Sequence, residues 1–198
     1  MTRIRPCRPA DRDALSEVCV RTADAGSDAR GLADDRLWGD VWAVPYAERD
    51  PGLCWVAESS DGRVVGYLVA TDDTEGFAAW FRDAWWPARS ARYEVSEPTA
   101  RHSWILSYAA ARGPGREPHA ATHPAHLHID LLPEAQGQGL GRRLIGTLCA
   151  ELRRRRVPAV HLVASAANHG AVAFYERLGF ARLPSDGADT APFGLVLA

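Results

Sequence analysis

Three patterns of apolar residues follow one another along this chain: short extended runs, helical spacings, and blocks bounded by turn residues. Arg3 to Pro6 predicts a first strand. Asp11 to Arg21 carries Leu15, Val18 and Cys19 at helical spacing, with Pro9 and Asp11 in its opening turn. Asp34 to Val44 predicts a second amphipathic helix through Leu37, Val41 and Val44. Leu53 to Glu58 and Arg63 to Thr71 predict two strands joined at Ser60-Asp61-Gly62, a hairpin signal. Much later, His126 to Leu132 is extended and apolar, ends at Pro133, and precedes a helix from Leu140 to about Arg155. The spacing then predicts a strand over Ala159 to Ala164 and a helix over Asn168 to Leu178, capped by Asn168 and stopped by Gly179. Strands over Phe180 to Leu183 and Phe193 to Leu197 close the sheet.

The connection between Thr71 and His126 includes a 50-residue stretch, Glu75 to Pro124, too long to be structureless. Phe77, Trp80, Phe81, Trp85, Trp86, Tyr93 and Trp104 crowd this stretch and argue against disorder. We read two or three short helices packed over the sheet, with only Gly113 to Pro124 as a true loop. No internal repeat or linker is visible, so residues 1–198 are expected to form one domain.

The densest chemistry lies between the late strand and its helix, in Gln136-Gly137-Gln138-Gly139-Leu140-Gly141-Arg142. A glycine-rich turn there presents backbone N–H groups and the positive end of a helix dipole to an anion. Side chains at the glycines would hold a phosphate away from the backbone. Arg142 and Arg143 add fixed charge. Arg153 to Arg156 end the same helix about 20 Å away by helix rise, and read as a solvated charged end.

The turn, together with Asn168-His-Gly-Ala-Val-Ala-Phe-Tyr175-Glu-Arg-Leu-Gly179-Phe180, resembles the acetyl-CoA-binding core of the GNAT acetyltransferases. Its pattern is Q/R-x-x-G-x-G/A, a strand, then N…A..FYE+LGF, and the match covers Ala125 to Leu183. The first half is also similar to the acetyltransferase-like domain at the C-terminus of O-GlcNAcase, through Ile4-Arg5-Pro6, Gly66-Tyr67, Thr71-Asp72-Asp73, Phe77, Trp86-Pro87, Tyr93 and Ile129-Asp130-Leu131. Members of that group lacking the glycine-rich loop include non-catalytic forms, whereas this chain keeps the loop. QGQGLG further resembles glucosamine-phosphate acetyltransferases.

The resemblance implies an α/β fold: a mixed, largely antiparallel sheet with helices on both faces and a helical insertion before the CoA strand. It implies acetyl-CoA as cofactor, held by Gln136, Gly137, Gln138, Gly139, Leu140, Gly141, Arg142 and Arg143, by the backbone of Ile129 and Leu131, and by Asn168 and Tyr175. It places an oxyanion-binding N–H at Ile129 and a general acid at Tyr175. The expected activity is transfer of acetyl to a primary amine, on a small molecule or a peptide lysine. A non-catalytic acetyl-CoA-binding module and an aminosugar-type enzyme are the alternatives.

Acetyl transfer also needs a base. His126, His128 and Asp130 alternate on one face of their strand; Asp130 is the first choice and His128 the second. Asp73, ending the preceding strand, is expected across from them to orient the amine. Trp85, Trp86 and Tyr93 are expected to wall the acceptor site, with core cover or a self-association surface as competing roles. His119, His123, His126 and His128 lack the cysteine or carboxylate spacing of a metal site, so no metal is expected.

Composition changes this picture little. A formal charge of −2 gives no pull toward nucleic acid or an acidic membrane. All 23 basic residues are arginine, so the chain offers no lysine for self-acetylation. Cys7, Cys19, Cys54 and Cys149 lack C-x-x-C spacing and read as small hydrophobes in a reducing compartment. No apolar leader or spanning window is present. A cytoplasmic monomer or homodimer is expected.

Overall fold

The computed structural model describes residues 2–185 and 187–197. The first half runs β1 (Arg3–Pro6), α1 (Arg12–Val20), α2 (Asp35–Trp42), α3 (Val44–Arg49), β2 (Cys54–Glu58) and β3 (Val64–Thr71). The insertion supplies α4 (Thr74–Trp80) and α5 (Ala100–Ala111), with a π-turn over Phe81–Trp85 and a 3-10 turn over Ser90–Tyr93 between them. The second half runs β4 (Ala125–Leu131), α6 (Leu140–Arg154), β5 (Ala159–Ser165), α7 (His169–Arg177), β6 (Ala181–Arg182) and β7 (Thr190–Val196).

All seven strands join one sheet in the order β1-β2-β3-β4-β5-β7-β6. Every neighbouring pair is antiparallel except β4 and β5, which run parallel. β3 is buried at all eight positions, as its unbroken apolar run requires of a strand covered on both faces. One core lies under α1, α2, α3 and the insertion, where Leu15, Leu37, Val41, Tyr46, Tyr67, Phe77 and Phe81 meet. The other lies under α6 and α7, filled by Leu144, Leu148, Leu152, Val160 and Phe193. Helices therefore cover both faces, as expected.

Two elements differ from the sequence reading. The second helix does not run on to Val44: Ala43 leaves helical geometry at φ −129°, and Pro45 opens a separate α3 carrying Tyr46. The closing strand begins at Thr190 rather than Phe193, and inserts between β5 and β6.

Three of the four free cysteines are buried and Cys7 is half-buried. Among the described residues no helix is long and apolar enough to cross a membrane.

Candidate active site

β4 pairs with β5 at only two positions, Ala125 with Val160 and His126 with His161. Beyond His126 the two strands diverge, and a wedge opens between them. The groups facing it follow from register. In an antiparallel pair, alternate residues turn their N–H and C=O toward the partner strand. Leu132 N–H bonds Val65 O at 2.9 Å, so Asp130, His128 and His126, at the same parity, bond toward β3. Ile129 and Leu131 turn theirs toward the wedge. Gln136 Nε2 closes one of these groups, donating to Leu131 O at 2.9 Å.

The glycine-rich turn lies at the wide end of the wedge. Gly137 and Gly139 sit at φ +73° and +72°, a region side chains disfavour, and a Cβ on either would meet nothing within 4 Å. Gly139 is the N-cap residue of the 15-residue α6, so the helix's first N–H groups open onto that empty space. Gly141 serves packing instead: a Cβ there would lie 2.9 Å from Phe174 of α7. Arg142 and Arg143 are exposed on the first turn. Positive backbone, clear approach and free cationic side chains suit a pyrophosphate, so the residues present fit the cofactor that the resemblance implies. The arginine run at the far end of α6 is more than a solvated end, because Arg155 bonds Glu151 at 2.8 Å and Asp72 at 3.0 Å.

α7 contributes Asn168 and Tyr175. Asn168 caps the helix through Oδ1, which accepts from Ala171 N–H at 3.0 Å. Its Nδ2 reaches Gly26 in the loop after α1, where an added Cβ would approach to 3.0 Å. Tyr175 is 7% exposed among Phe174, Phe180 and Phe193. Burial raises its phenol pKa and the Asp130 charge raises it further, so it keeps its proton at neutral pH.

His126, His128 and Asp130 share the face of β4 that looks toward α1 and α3. Asp130 is half-buried and accepts a hydrogen bond from Tyr67 O–H. Desolvation raises its carboxyl pKa against the lowering effect of Tyr67 and Thr22. His128 moves the other way: burial, then the charge of Arg112, lower it to about 3. Two groups one pleat apart are thus driven in opposite directions, a pattern that separates a proton acceptor from a neutral partner.

Two expectations are corrected. Asp73 is not across from Asp130. The register pairs Asp130 with Tyr67 and Thr71 with His126, which puts Asp73 roughly 20 Å away along the strands. Its carboxylate caps α4, accepting from Gly76 N–H at 2.9 Å. Trp85, Trp86 and Tyr93 do not wall an acceptor site either, being 3%, 8% and 2% exposed. Trp85 Nε1 donates to Asp40 O at 2.8 Å, Tyr93 O–H donates to the buried Asp40 carboxylate at 2.7 Å, and Trp86 stacks between Phe81 and Tyr93. They bind the insertion to α2. The insertion's exposed aromatic is Trp104, stacked with Trp42 and Tyr108.

Residues 23–180 match the family model for the acetyltransferase (GNAT) family, and the chain belongs to that family. A mycothiol acetyltransferase of Geodermatophilus obscurus is 46% identical over 176 residues, covering 88% of this chain and 48% of that protein. The chain spans about half, or less, of the length of the mycothiol acetyltransferases it matches. The crystal structure of SsHAT is 38% identical with a TM-score of 0.89, covering 100% of this chain and 98% of that one. YncA of Salmonella typhimurium, solved with its cofactor acetyl-CoA, is 20% identical with a TM-score of 0.58 over 100% of this chain and 94% of that chain, a likeness of fold.

Sequence reasoning missed Tyr46 and Arg112. Tyr46 O–H lies 2.6 Å from His126 Nε2 and 3.0 Å from His128 Nε2. Arg112 Nη2 donates to Tyr46 Oη at 2.6 Å. The signals available were Pro45, which restarts a helix, and the abrupt Arg112-Gly113-Pro114 end of an apolar helix.

Proposed function

We propose that this chain binds acetyl-CoA along the wedge between β4 and β5 and transfers its acetyl group to a primary amine. The observation that carries this reading is the divergence of β5 after His126, which leaves the backbone of Ile129 and Leu131 facing a cleft that ends at the α6 N-terminus. Gln136 to Arg143 would hold the phosphates, and the backbone of Ile129 and Leu131, with Asn168 and Tyr175, would hold the pantetheine arm.

When bound, acetyl-CoA supplies a thioester carbon open to attack by an amine. The chain's residues do the rest. Ile129 N–H is the donor for negative charge developing on the thioester oxygen, a role worth about 3 kcal/mol. Asp130, with its raised carboxyl pKa, takes the amine proton, directly or through one water. Tyr175, held protonated, donates to the departing sulfur. Holding amine and thioester in line lowers the barrier before any of these act.

The likeness to the O-GlcNAcase acetyltransferase-like domain is part of this reading, supported by the first-half motifs. The acceptor in this reading is a primary amine on a small molecule or a peptide lysine.

The test is calorimetry with acetyl-CoA followed by CoA release over a panel of aminosugars, aminothiols and lysine peptides. Micromolar binding with turnover of at least one amine is expected. Tight binding with no release from any amine would replace the enzyme by a non-catalytic acetyl-CoA module, and absent binding would remove both. In the active case, Tyr175→Phe should lower kcat about 100-fold with acetyl-CoA affinity unchanged. A matching loss of affinity would make Tyr175 a packing residue.

A further inference from the structure

A chain of hydrogen bonds beneath the cleft fixes the protons on two histidines. It starts at Pro124 O, which accepts from the Thr74 hydroxyl at 2.7 Å. Having spent its proton there, Thr74 Oγ1 accepts from His126, so Nδ1 of that ring carries the hydrogen, at 2.8 Å. Burial and the neighbouring Arg112 charge hold His126 neutral, which leaves Nε2 a bare acceptor. Arg112 Nη2, 3.3 Å away, can only donate to it, and Tyr46 Oη, closer at 2.6 Å, donates to it as well. The same oxygen accepts from Arg112 Nη2 at 2.6 Å. With its one proton committed to His126, it can meet His128 Nε2 at 3.0 Å only as an acceptor. His128 thus carries its hydrogen on Nε2 and presents an unprotonated Nδ1, which bonds nothing among the described residues.

We propose that Tyr46 is a positioning residue: anchored by Arg112 and His126, it locks His128 in the Nε2–H form so that Nδ1 accepts an N–H of the substrate amine. This deepens the acetyl-transfer reading and rests on it. Nδ1 orients the amine while Asp130, one pleat along the same face, removes the proton. The primary amine is recognised as a neutral donor. An ammonium would approach Arg112, a buried guanidinium whose Nε has no partner and which, among the described residues, makes no salt bridge, Glu117 acting on it only at a distance.

Arg112 is placed for this by the insertion. It follows α5, donates to Val41 O at 3.2 Å, and lies 4.8 Å and 4.9 Å from the rings of Phe77 and Phe81. A permanent charge there opposes protonation of both histidines without itself titrating. Tyr46 is braced in turn by stacking on Phe77 at 4.2 Å.

The test is long-range nitrogen–proton NMR of the histidine rings in the full chain at neutral pH, which reads each tautomer without turnover. The expected result is His126 protonated on Nδ1 and His128 on Nε2, with Tyr46→Phe, which keeps the Phe77 stack, converting His128 to a tautomer mixture. If turnover is found, the same variant should raise KM for the amine roughly tenfold with a smaller change in kcat, the loss of one orienting hydrogen bond. Thr74→Val frees the His126 end of the chain and should loosen both tautomers together. His128 protonated on Nδ1 in the native chain, or unmoved by Tyr46→Phe, overturns the proposal. Because the spectra need no acceptor, an amine panel that fails against correct tautomers would sink the transferase reading and not this geometry.

Discussion

Gly139→Val is expected to cost at least about 100-fold in acetyl-CoA affinity, about 2.7 kcal/mol, while leaving the fold intact. Two physical effects act together. At φ +72° a β-branched residue is strained by about 1–2 kcal/mol, so the turn shifts and takes the first N–H groups of α6 with it. The new side chain also enters the space before those groups. That space holds no protein atom within 4 Å, so the substitution meets no neighbour in the protein itself. Gly146→Ala is the matched control. It lies mid-helix and exposed on α6, equally free of neighbours, and should gain about 0.5–1 kcal/mol of stability with unchanged binding. Calorimetry on both, with circular dichroism to verify folding, decides the matter. Retained affinity in the folded Gly139 variant would move the cofactor elsewhere.

The second large effect is acid sensitivity. His126 and His128 have pKa values driven down by burial first and Arg112 second, His128 to about 3. In the unfolded chain both titrate near 6.5. Above that value neither state binds these protons and the native state keeps its full advantage. As pH falls below it, the unfolded state takes up protons that the folded state refuses, so stability declines by about 1.4 kcal/mol per pH unit for each histidine. Asp130 runs the other way: its raised pKa adds stability below the ordinary carboxylate value, and that gain is lost as pH rises through the raised one. Two histidines oppose this single carboxyl, so the net trend on acidification is downward. Urea unfolding from pH 7 to 4.5 should show midpoints dropping steadily from about 6.5 downward, a loss of several kcal/mol against a typical reserve of about 5–15. His128→Asn should reduce the slope by one proton. Flat midpoints across this range would mean that these rings ionise inside the fold.

The framework of the proposed donor side was legible in the sequence, because strand, glycines and helix follow one another in a recognisable order. β4, the turn, α6 and α7 all lie where the pattern put them. The acceptor side was not legible, for reasons specific to each residue. Trp85, Trp86 and Tyr93 announce aromatic bulk, and a sequence does not say which way bulk faces. Here the buried Asp40 on α2 draws the Tyr93 hydroxyl inward to satisfy its carboxylate, and Trp85 donates to the Asp40 carbonyl. Asp73 did carry a usable sign: an aspartate ahead of Thr74-Glu75-Gly76 is a helix cap. Tyr46 lay just beyond where the Asp34 helix was taken to end, and Pro45 restarts the helix at that point. Arg112 is the hardest case, since arginine is rarely buried without a salt bridge. Its meaning emerges only when α5, α3 and β4 converge on one phenol.

One contact bears on whether the 50-residue segment could be removed. Thr74 N–H bonds Pro124 O at 2.8 Å, so the segment enters and leaves the sheet at a single point. By distance alone, a short turn could replace it and reconnect β3 to β4. Hydrogen-bond and surface accounting forbid that shortcut. Excision would strip Phe77, Phe81 and Ile105 from the core they share with Tyr46 and Val41, and take away the guanidinium that donates to the Tyr46 oxygen. A minimised enzyme made this way would keep its cofactor cleft but bare an oily face on α2 and α3, and would need that face redrawn in polar residues to stay in solution.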